Sequence, residues 1–209
     1  MKNIDEILAC FDELHPNPKC ALNFSNSFEL LIAVVLSAQC TDERVNQVTK
    51  ELFKLANSPE DMIALGESKI KQIIYPCGFY NNKTKAILDI SNDLIKKFKG
   101  QVPGSMEELT TLTGVGRKTA NVVIGVAFGG QTIAVDTHVH RVSKRLGLTK
   151  ENSTPEQCEQ DLLKIVPHER RTKFHHQTIW FGRLTCKAKK PLCGTCKLKS
   201  ICKFYKRKK

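Results

Sequence analysis

Four cysteines crowd into one short segment near the end of the 209-residue chain. They are Cys186, Cys193, Cys196 and Cys202, with the spacing C-x6-C-x2-C-x5-C. A structural zinc site usually pairs two short C-x2-C units, whereas this segment has one such unit with longer spacings on both sides. A C-x2-C redox pair would need a βαβ context, which the sequence lacks. The spacing favours an iron–sulfur cluster held along one loop, with zinc as the alternative.

The same end of the chain is strongly basic. Residues 183–209 contain eleven Lys or Arg and no Asp or Glu, so a net charge of +12 lies almost entirely there. A cationic end on a nearly neutral body indicates a polyanionic partner, nucleic acid first and an anionic membrane second. If the cysteines make their segment rigid, we expect Lys187, Lys189 and Lys190 to face DNA phosphates.

Almost every segment has the periodicity and the end signals of an α-helix. Ser58, Ser105 and Thr154 each stand three residues before an acid or an amide, which is the capping-box pattern. Residues 81–100 place their apolar side chains on one face and end at a glycine, while residues 27–40 are apolar nearly all round. Short β-branched runs have no partner. The sequence therefore predicts an all-α fold.

The N-terminal residues and the scattered cysteines predict a compartment. The start of the chain is acidic and amphipathic, unlike a signal peptide, and the longest apolar run, residues 30–38, is too short to cross a bilayer. Nine cysteines is an odd number, which suits a reducing compartment better than a disulfide framework. We expect a cytoplasmic protein with no membrane partner, in which the five single cysteines are small buried hydrophobes. These are Cys10, Cys20, Cys40, Cys77 and Cys158.

Residues 109–128, "LTTLTGVGRKTANVVIGVAF", predict two helices joined by a glycine turn. One helix is expected to end near Leu112 and the next to begin near Arg117. Between them, Gly114 and Gly116 allow positive φ and bring bare backbone close to a ligand. The first N–H groups of the second helix then make a phosphate site. This helix-hairpin-helix pattern grips a nucleic-acid backbone without reading bases, and the alternative is an ordinary helical corner.

Two ionisable residues follow this turn. Lys118 lies in the first turn of the second helix, where the helix dipole and the adjacent Arg117 disfavour the ammonium, and a neutral lysine amine is a Schiff-base nucleophile. The alternative is a point charge on a phosphate. Eighteen residues later, Asp136 is placed to cap a helix, or to face the Lys118 amine and help deprotonate it. His138 and His140 are interpreted as polar helix residues.

Three sequence segments and the cysteine spacing resemble one family. "LTGVGRKTANVV" followed by "VDTH" is similar to the endonuclease III family of helix-hairpin-helix DNA glycosylases and abasic-site lyases, which remove oxidised pyrimidines. "LLIAVVLSAQCTDERVN" resembles the family's early buried helix and the turn after it, and the cysteine spacing resembles its 4Fe–4S loop. The resemblance runs from about residue 4 to 204, with every motif in order.

The resemblance implies a fold and a cofactor. The fold would have two helical lobes with DNA bound in the cleft between them. Residues 21–131 would form a six-helix domain with the hairpin, and residues 1–20 with 132–209 a helical domain with the cluster loop at 186–202. Cys186, Cys193, Cys196 and Cys202 would bind the 4Fe–4S cluster.

The resemblance implies catalytic and pocket residues as well. Lys118 would be the nucleophile and Asp136 its catalytic carboxylate. Asp42 and His138 would line the substrate pocket.

Further residues would hold the DNA. Gly114, Val115 and Gly116 would form the phosphate-gripping turn. Gln39 would be a wedge that fills the gap left by a flipped nucleotide. Phe79 would insert into the opposite strand, although the family more often has Leu or a similar aliphatic residue there.

The predicted function is that of a bifunctional, monomeric base excision repair enzyme. It would excise oxidised pyrimidines from double-stranded DNA and cut abasic sites by β-elimination through a lysine Schiff base. One alternative is a monofunctional relative such as the adenine-mismatch glycosylase, which has another residue at the position of Lys118 and an additional C-terminal domain. The others are a non-catalytic helix-hairpin-helix DNA-binding module and a cluster-bearing redox protein.

Overall fold

The protein is described by a computed structural model that covers residues 3–207. Within that range every regular element is helical, so the predicted all-α fold class is confirmed. The α-helices in chain order are α1 Ile4–Leu14, α2 Ser27–Leu36, α3 Asp42–Leu55, α4 Pro59–Leu65, α5 Glu67–Ile74, α6 Tyr80–Phe98, α7 Met106–Leu109, α8 Arg117–Ala127, α9 Thr137–Leu146, α10 Pro155–Ile165, α11 Arg171–Leu184 and α12 Lys203–Lys206. Single 3-10 turns lie at Tyr75–Cys77 and His168–Arg170.

The chain packs into two compact units. One contains residues 20–129 and is called the hairpin unit, and the other contains residues 3–19 and 130–207 and is called the terminal unit. A division into compact units does not show which residues act together as a functional domain. The functional domains expected from the sequence, 21–131 and 1–20 with 132–209, therefore stay a prediction.

The core of the hairpin unit is built around α2. Leu30, Leu31, Ile32 and Leu36 are completely buried, because α2 packs against α3, α6 and α8. The Asn26 side chain caps the start of α2 by accepting a hydrogen bond from the Glu29 N–H at 2.8 Å. An all-round apolar helix therefore lies at a centre, as its composition predicted.

Helix α6 has one buried apolar face and ends just before a glycine. Ile87, Ile90 and Leu94 are completely buried on the face that packs against α4 and α5. The helix ends at Phe98, and the N–H of Gly100, at φ +78°, donates to the carbonyl of Leu94 at 3.0 Å. Lys99 is the first residue to leave the helical conformation, at φ 53°, and Gly100 follows it in the left-handed region, where a side chain would be strained.

The predicted helix starts at Ser58, Ser105 and Thr154 are confirmed. Each side chain accepts a hydrogen bond from the backbone N–H three residues ahead. The box is reciprocal only at Thr154, whose N–H donates to the Gln157 side chain at 2.9 Å. At the two serines the acid instead accepts a bond from the serine hydroxyl.

The terminal unit has its own core, centred on three aromatic rings. The Phe11 ring lies 5.8 Å from that of Phe174 and 5.1 Å from that of Phe181, which joins α1 to α11. Gly182 lets α9 and α11 approach closely, since a Cβ there would lie 3.1 Å from the Cβ of His138. Close helix packing of this kind brings the start of α9 against α11.

The single cysteines follow their prediction in part. Cys10, Cys77 and Cys158 are buried, while Cys20 and Cys40 are only half-buried, packed against the core of the hairpin unit. All nine cysteines lie within the described residues, and none of them forms a disulfide. In the part of the chain that the structure describes, no helix has the length and apolar character needed to cross a membrane.

Candidate active site

The glycine turn lies between α7 and α8, with one boundary different from the prediction. Helix α8 begins at Arg117 as expected, but α7 ends at Leu109 rather than near Leu112. The Thr110 N–H still makes a helical bond to the Met106 carbonyl. The Thr111 and Leu112 N–H groups instead donate to carbonyls only three residues back, which ends the α-helix. Tight turns then carry the chain on to Leu112.

The two glycines of the turn differ in conformation. Gly114 has φ +81°, the left-handed region that was expected. Gly116 has φ −94° and ψ 175°, so the expectation of a positive φ is wrong there. A Cβ at Gly116 would meet no atom within 4 Å, and no side chain caps α8. Gly116 thus leaves open space in front of the first N–H groups of α8, which suits an anion.

Two contacts hold the turn in place. Val115 is 5% exposed and anchors the turn in the core, and its N–H donates to the Leu112 carbonyl at 3.0 Å. Asp93 on α6 accepts hydrogen bonds from the N–H and the hydroxyl of Thr113, both at 2.9 Å, and pairs with Lys97 at 2.9 Å. Burial acts to raise the pKa of Asp93, but these hydrogen bonds outweigh it and lower the pKa.

Lys118 lies in the first turn of α8, two residues after Gly116. Its side chain is exposed, and among residues 3–207 it has no hydrogen-bond or ion-pair partner. The amine is therefore accessible at the end of α8 that leaves its N–H groups uncapped. Its role as nucleophile stays a prediction.

Asp136 caps α9 in the terminal unit. Its Oδ1 accepts hydrogen bonds from the N–H groups of His138 and Val139, both at 2.8 Å. Its Oδ2 accepts none from the described residues. The expected capping role is confirmed, and one oxygen of the half-buried carboxylate remains available for other chemistry.

His138 and His140 both lie in α9, as expected, but they have different partners. Nδ1 of His138 lies 3.2 Å from the Arg141 guanidinium, and burial lowers the pKa of His138. Nε2 of His140 lies 2.8 Å from the Ser153 carbonyl oxygen. A place for His138 in a substrate pocket stays a prediction, as does one for Asp42, which is half-buried at the start of α3.

Gln39 and Phe79 share an unusual backbone conformation. Gln39, in the turn after α2, has φ 52°, and Phe79, just before α6, has φ 49°. Both side chains are exposed, and that of Phe79 is 61% exposed. Non-glycine residues in this region are uncommon and cluster at functional sites. The sequence contained no signal for this conformation, although the family resemblance had selected both residues.

The four C-terminal cysteines line one small apolar cavity in the terminal unit, with a volume of about 20 Å3. Leu146, Phe181 and Tyr205 also line it. Burial raises the pKa of the Cys186 and Cys196 thiols. Within residues 3–207 no three His, Cys, Asp or Glu side chains converge tightly enough to hold a single metal ion.

Two arginines of α9 hold the cysteine segment, which sequence reasoning missed. Arg145 donates to the carbonyls of Lys187 at 2.8 Å and Ala188 at 3.1 Å, and contacts the Cys186 sulfur at 3.4 Å. Arg141 donates to the Cys186 carbonyl at 3.2 Å. Only their spacing of four on a helix pointed to a shared face.

The three predicted DNA-binding lysines lie at the surface of this segment. Lys187, Lys189 and Lys190 are exposed, and among the described residues none of them forms an ion pair. By contrast, Lys197 pairs with Glu13. The first three lysines keep uncompensated charges on a braced loop, and their contact with DNA stays a prediction.

Comparison with known proteins assigns the chain to a class. The family model described as "HhH-GPD superfamily base excision DNA repair protein" matches residues 32–168, which include the glycine turn and the start of α9. The fold and the hairpin are those of a base excision DNA repair protein of this superfamily.

Full-length relatives narrow the class further. The chain is 47% identical to endonuclease III of Bacillus subtilis strain 168, over 97% of this chain and 94% of the relative. It therefore belongs to the endonuclease III family. It is also similar to the solved structure of a trapped endonuclease III–DNA covalent intermediate, with 47% identity, a TM-score of 0.93, and 100% and 99% of the two chains covered. A non-covalent endonuclease III–DNA complex gives 46% identity and a TM-score of 0.95, with 99% and 97% covered.

Proposed function

We propose that the protein is a bifunctional base excision repair enzyme that removes oxidised pyrimidines from duplex DNA and cleaves abasic sites through Lys118. The observation that carries this proposal is an exposed lysine in the first turn of α8, beside a turn whose outer face is bare backbone. Similarity to a relative that was trapped as a covalent DNA intermediate supports it. We place the enzyme in the cytoplasm, acting on DNA as a monomer.

The chemistry follows from one amine and one carboxylate. The neutral Lys118 amine attacks C1′ of the damaged nucleotide, and the C1′–N bond breaks as the base leaves. Asp136, with Oδ1 held by two N–H groups, keeps Oδ2 to accept a proton from the amine or to offset positive charge on the sugar. The C1′–O4′ bond then breaks and O4′ takes up a proton as the Schiff base forms at C1′. The Schiff base makes the C2′ proton acidic. Loss of that proton breaks the C3′–O bond, which cuts the strand.

An enzyme that acts on a base inside a duplex has to extrude it first. Gln39 fills the vacancy in the stack, and Phe79 enters the opposite strand. Their left-handed backbones hold both side chains out from the protein. Asp42 and His138 line the pocket that receives the base. The turn at Gly114, Val115 and Gly116 holds a backbone phosphate without reading sequence. The N–H groups of the two glycines face the phosphate, because that of Val115 already donates within the turn.

The cysteine cavity fits a 4Fe–4S cluster better than one zinc ion. Four thiols surround a single apolar cavity, yet no three ligands in the described chain converge on one point. That spread suits a group larger than one ion. Cys186, Cys193, Cys196 and Cys202 would hold the cluster, which would supply a rigid, redox-capable centre to the loop. The arginine contacts from α9 brace the loop, and Lys187, Lys189 and Lys190 bind DNA phosphates from it.

Borohydride trapping tests the proposed function. The native protein is mixed with a duplex that contains one oxidised pyrimidine, and sodium borohydride reduces any Schiff base to a stable adduct. We expect an adduct and a cut strand from the native protein, and neither from Lys118→Ala. The matched control is Lys96→Ala, an exposed lysine of α6 in the same unit, which should trap normally.

The alternatives give other outcomes. Base release without an adduct would indicate a monofunctional glycosylase. Binding without base release would indicate a DNA-binding module. An equal adduct yield from Lys118→Ala would remove Lys118 from its role.

A further inference from the structure

A second cavity, of about 380 Å3, lies in the terminal unit beside α9 and α12. Its wall carries five Lys or Arg side chains and one acid, Glu151. The cations are Arg141, Lys144, Arg145, Lys203 and Arg207. None of the chemistry proposed above uses this cavity.

The charge on this wall is largely uncompensated. Glu151 pairs with Arg207 across one end. Arg141 and Arg145 donate to backbone carbonyls, and Arg145 also contacts the Cys186 sulfur, so these two arginines are already engaged with the cysteine segment. Within the described residues, neither Lys144 nor Lys203 forms an ion pair. A concave site with this excess of positive charge selects an anion.

The two unpaired lysines are positioned by the end of α9. Gly147 ends the helix at φ +80°, and a Cβ there would lie 2.4 to 2.9 Å from carbons of the Lys203 side chain. The glycine thus leaves room for the stem of Lys203 to lie against the helix end. Lys144 lies in the last turn of α9, where the helix dipole favours a cation. Both side chains are therefore held near the cavity.

We propose that this cavity binds a phosphodiester of the substrate duplex, a few nucleotides from the damaged one. The inference rests on the proposed function, because the duplex is placed by Asp136. Thr137, the residue after Asp136, also lines the cavity. Lys144 lies seven residues further along α9, about 10 Å at a rise of 1.5 Å per residue. Each strand presents a phosphate for about every 3.4 Å of duplex axis, so a duplex that runs along α9 would bring a phosphate two or three steps away to the cavity.

The wall favours a backbone phosphate over a free nucleotide. The Phe204 ring is the aromatic surface of the cavity, and the Arg145 guanidinium already stacks on it at 4.4 Å. The base of a free nucleotide could not stack on this ring, because the guanidinium already covers it, and bases generally bind by stacking on an aromatic side chain. A phosphodiester requires only the charges.

The salt dependence of DNA binding tests this site. The probe is a duplex with a stable abasic-site analogue, and the dissociation constant is measured between 50 and 300 mM salt. Each phosphate contact contributes about 0.9 to the slope of log K against log salt. Because both lysines face one phosphodiester, Lys144→Gln/Lys203→Gln should flatten the slope by roughly 0.9. In 0.1 M salt the affinity should fall roughly 8-fold. The charge-retaining Lys144→Arg/Lys203→Arg variant should keep most of the slope.

A matched control removes the same charge elsewhere. Lys50→Gln/Lys164→Gln takes two exposed lysines, one from each unit, that have no ion pair among the described residues. This control variant should change the slope by less than about 0.5, because lysines away from the bound duplex attract it only weakly through screened, long-range electrostatics. A flattening equal to that of the test pair would show a general charge effect and overturn the site. So would an unchanged slope in a test variant that circular dichroism shows to be folded.

A separate experiment measures the binding of pyrophosphate to the protein by calorimetry. Weak binding that the test pair abolishes, together with an unchanged DNA slope, would assign the cavity to a free anion and overturn the DNA contact. Borohydride trapping by the native protein separates this result from the proposed function. A missing adduct with a flattened slope would refute the lysine chemistry and leave the phosphate site standing.

Discussion

Replacing Arg145 by Met should loosen the cysteine segment and destabilise the terminal unit. The guanidinium donates to the Lys187 and Ala188 carbonyls at 2.8 and 3.1 Å and stacks on Phe204 at 4.4 Å. Both acceptors belong to exposed residues, so each hydrogen bond contributes about 1 kcal/mol to the free energy of unfolding, less than a hydrogen bond of a charged group in the interior. The stacking adds about 0.5 to 1 kcal/mol. The expected loss is about 3 kcal/mol, because Met keeps only the packing of the stem.

Thermal unfolding of the intact protein measures this loss. About 3 kcal/mol lowers the melting temperature of a chain of this size by roughly 6 to 12 °C. Amide exchange at Cys186 and Leu192, whose N–H groups bond to Phe181 and Thr185, should also become faster. Arg145→Lys should recover only part of the loss, because an ammonium lacks the planar fork that reaches two carbonyls.

A surface arginine provides the control for this experiment. Arg44→Met on α3 should change stability by less than about 0.5 kcal/mol, because that side chain is exposed. A drop for Arg145→Met no larger than that of Arg44→Met would refute the bracing role.

Three further predictions follow from single contacts. The pKa of Asp12 is lowered to about 2, chiefly by a hydrogen bond from Lys173. The stabilisation is complete above the ordinary carboxyl pKa and is lost as pH falls towards 2. The stability gap between native protein and Asp12→Asn, from urea unfolding, should therefore shrink between pH 4 and 2, and a constant gap would contradict this. Gly114→Ala should cost about 1 to 2 kcal/mol in the same assay because of its positive φ, whereas Gly116→Ala should keep stability and weaken DNA binding. Equal stability losses would count against the two assigned conformations. Burial raises the pKa of the Cys158 thiol to about 11, so iodoacetamide at pH 8 should leave it unmodified in the folded protein, and modification detected by mass spectrometry would refute its burial.

Local signals in the sequence predicted most of the helices. The start of α10 at Thr154 and the end of α6 before Gly100 follow from capping chemistry within a few residues. The length of α7 was wrong because the chain tightens into i→i−3 turns at Thr111 and Leu112, and the residue types there do not signal this change. Gly116 shows a similar limit, since a glycine allows positive φ without requiring it.

The contacts that organise the candidate site join residues far apart in the chain. Asp93 holds the glycine turn from 20 residues away, and Arg145 holds the cysteine segment from more than 40. A single Asp or Arg in a helix has no sequence pattern that identifies such a partner. Lys118 and Asp136 were found instead because short motifs surround them, and their catalytic roles stay predictions.

The most direct test of the account identifies the residue that carries the sugar. The borohydride-reduced adduct is digested with nuclease and protease, and mass spectrometry locates the modified peptide. The account predicts a deoxyribose remnant on Lys118 and on no other lysine. A remnant on a different residue, or spread over several lysines, would contradict it.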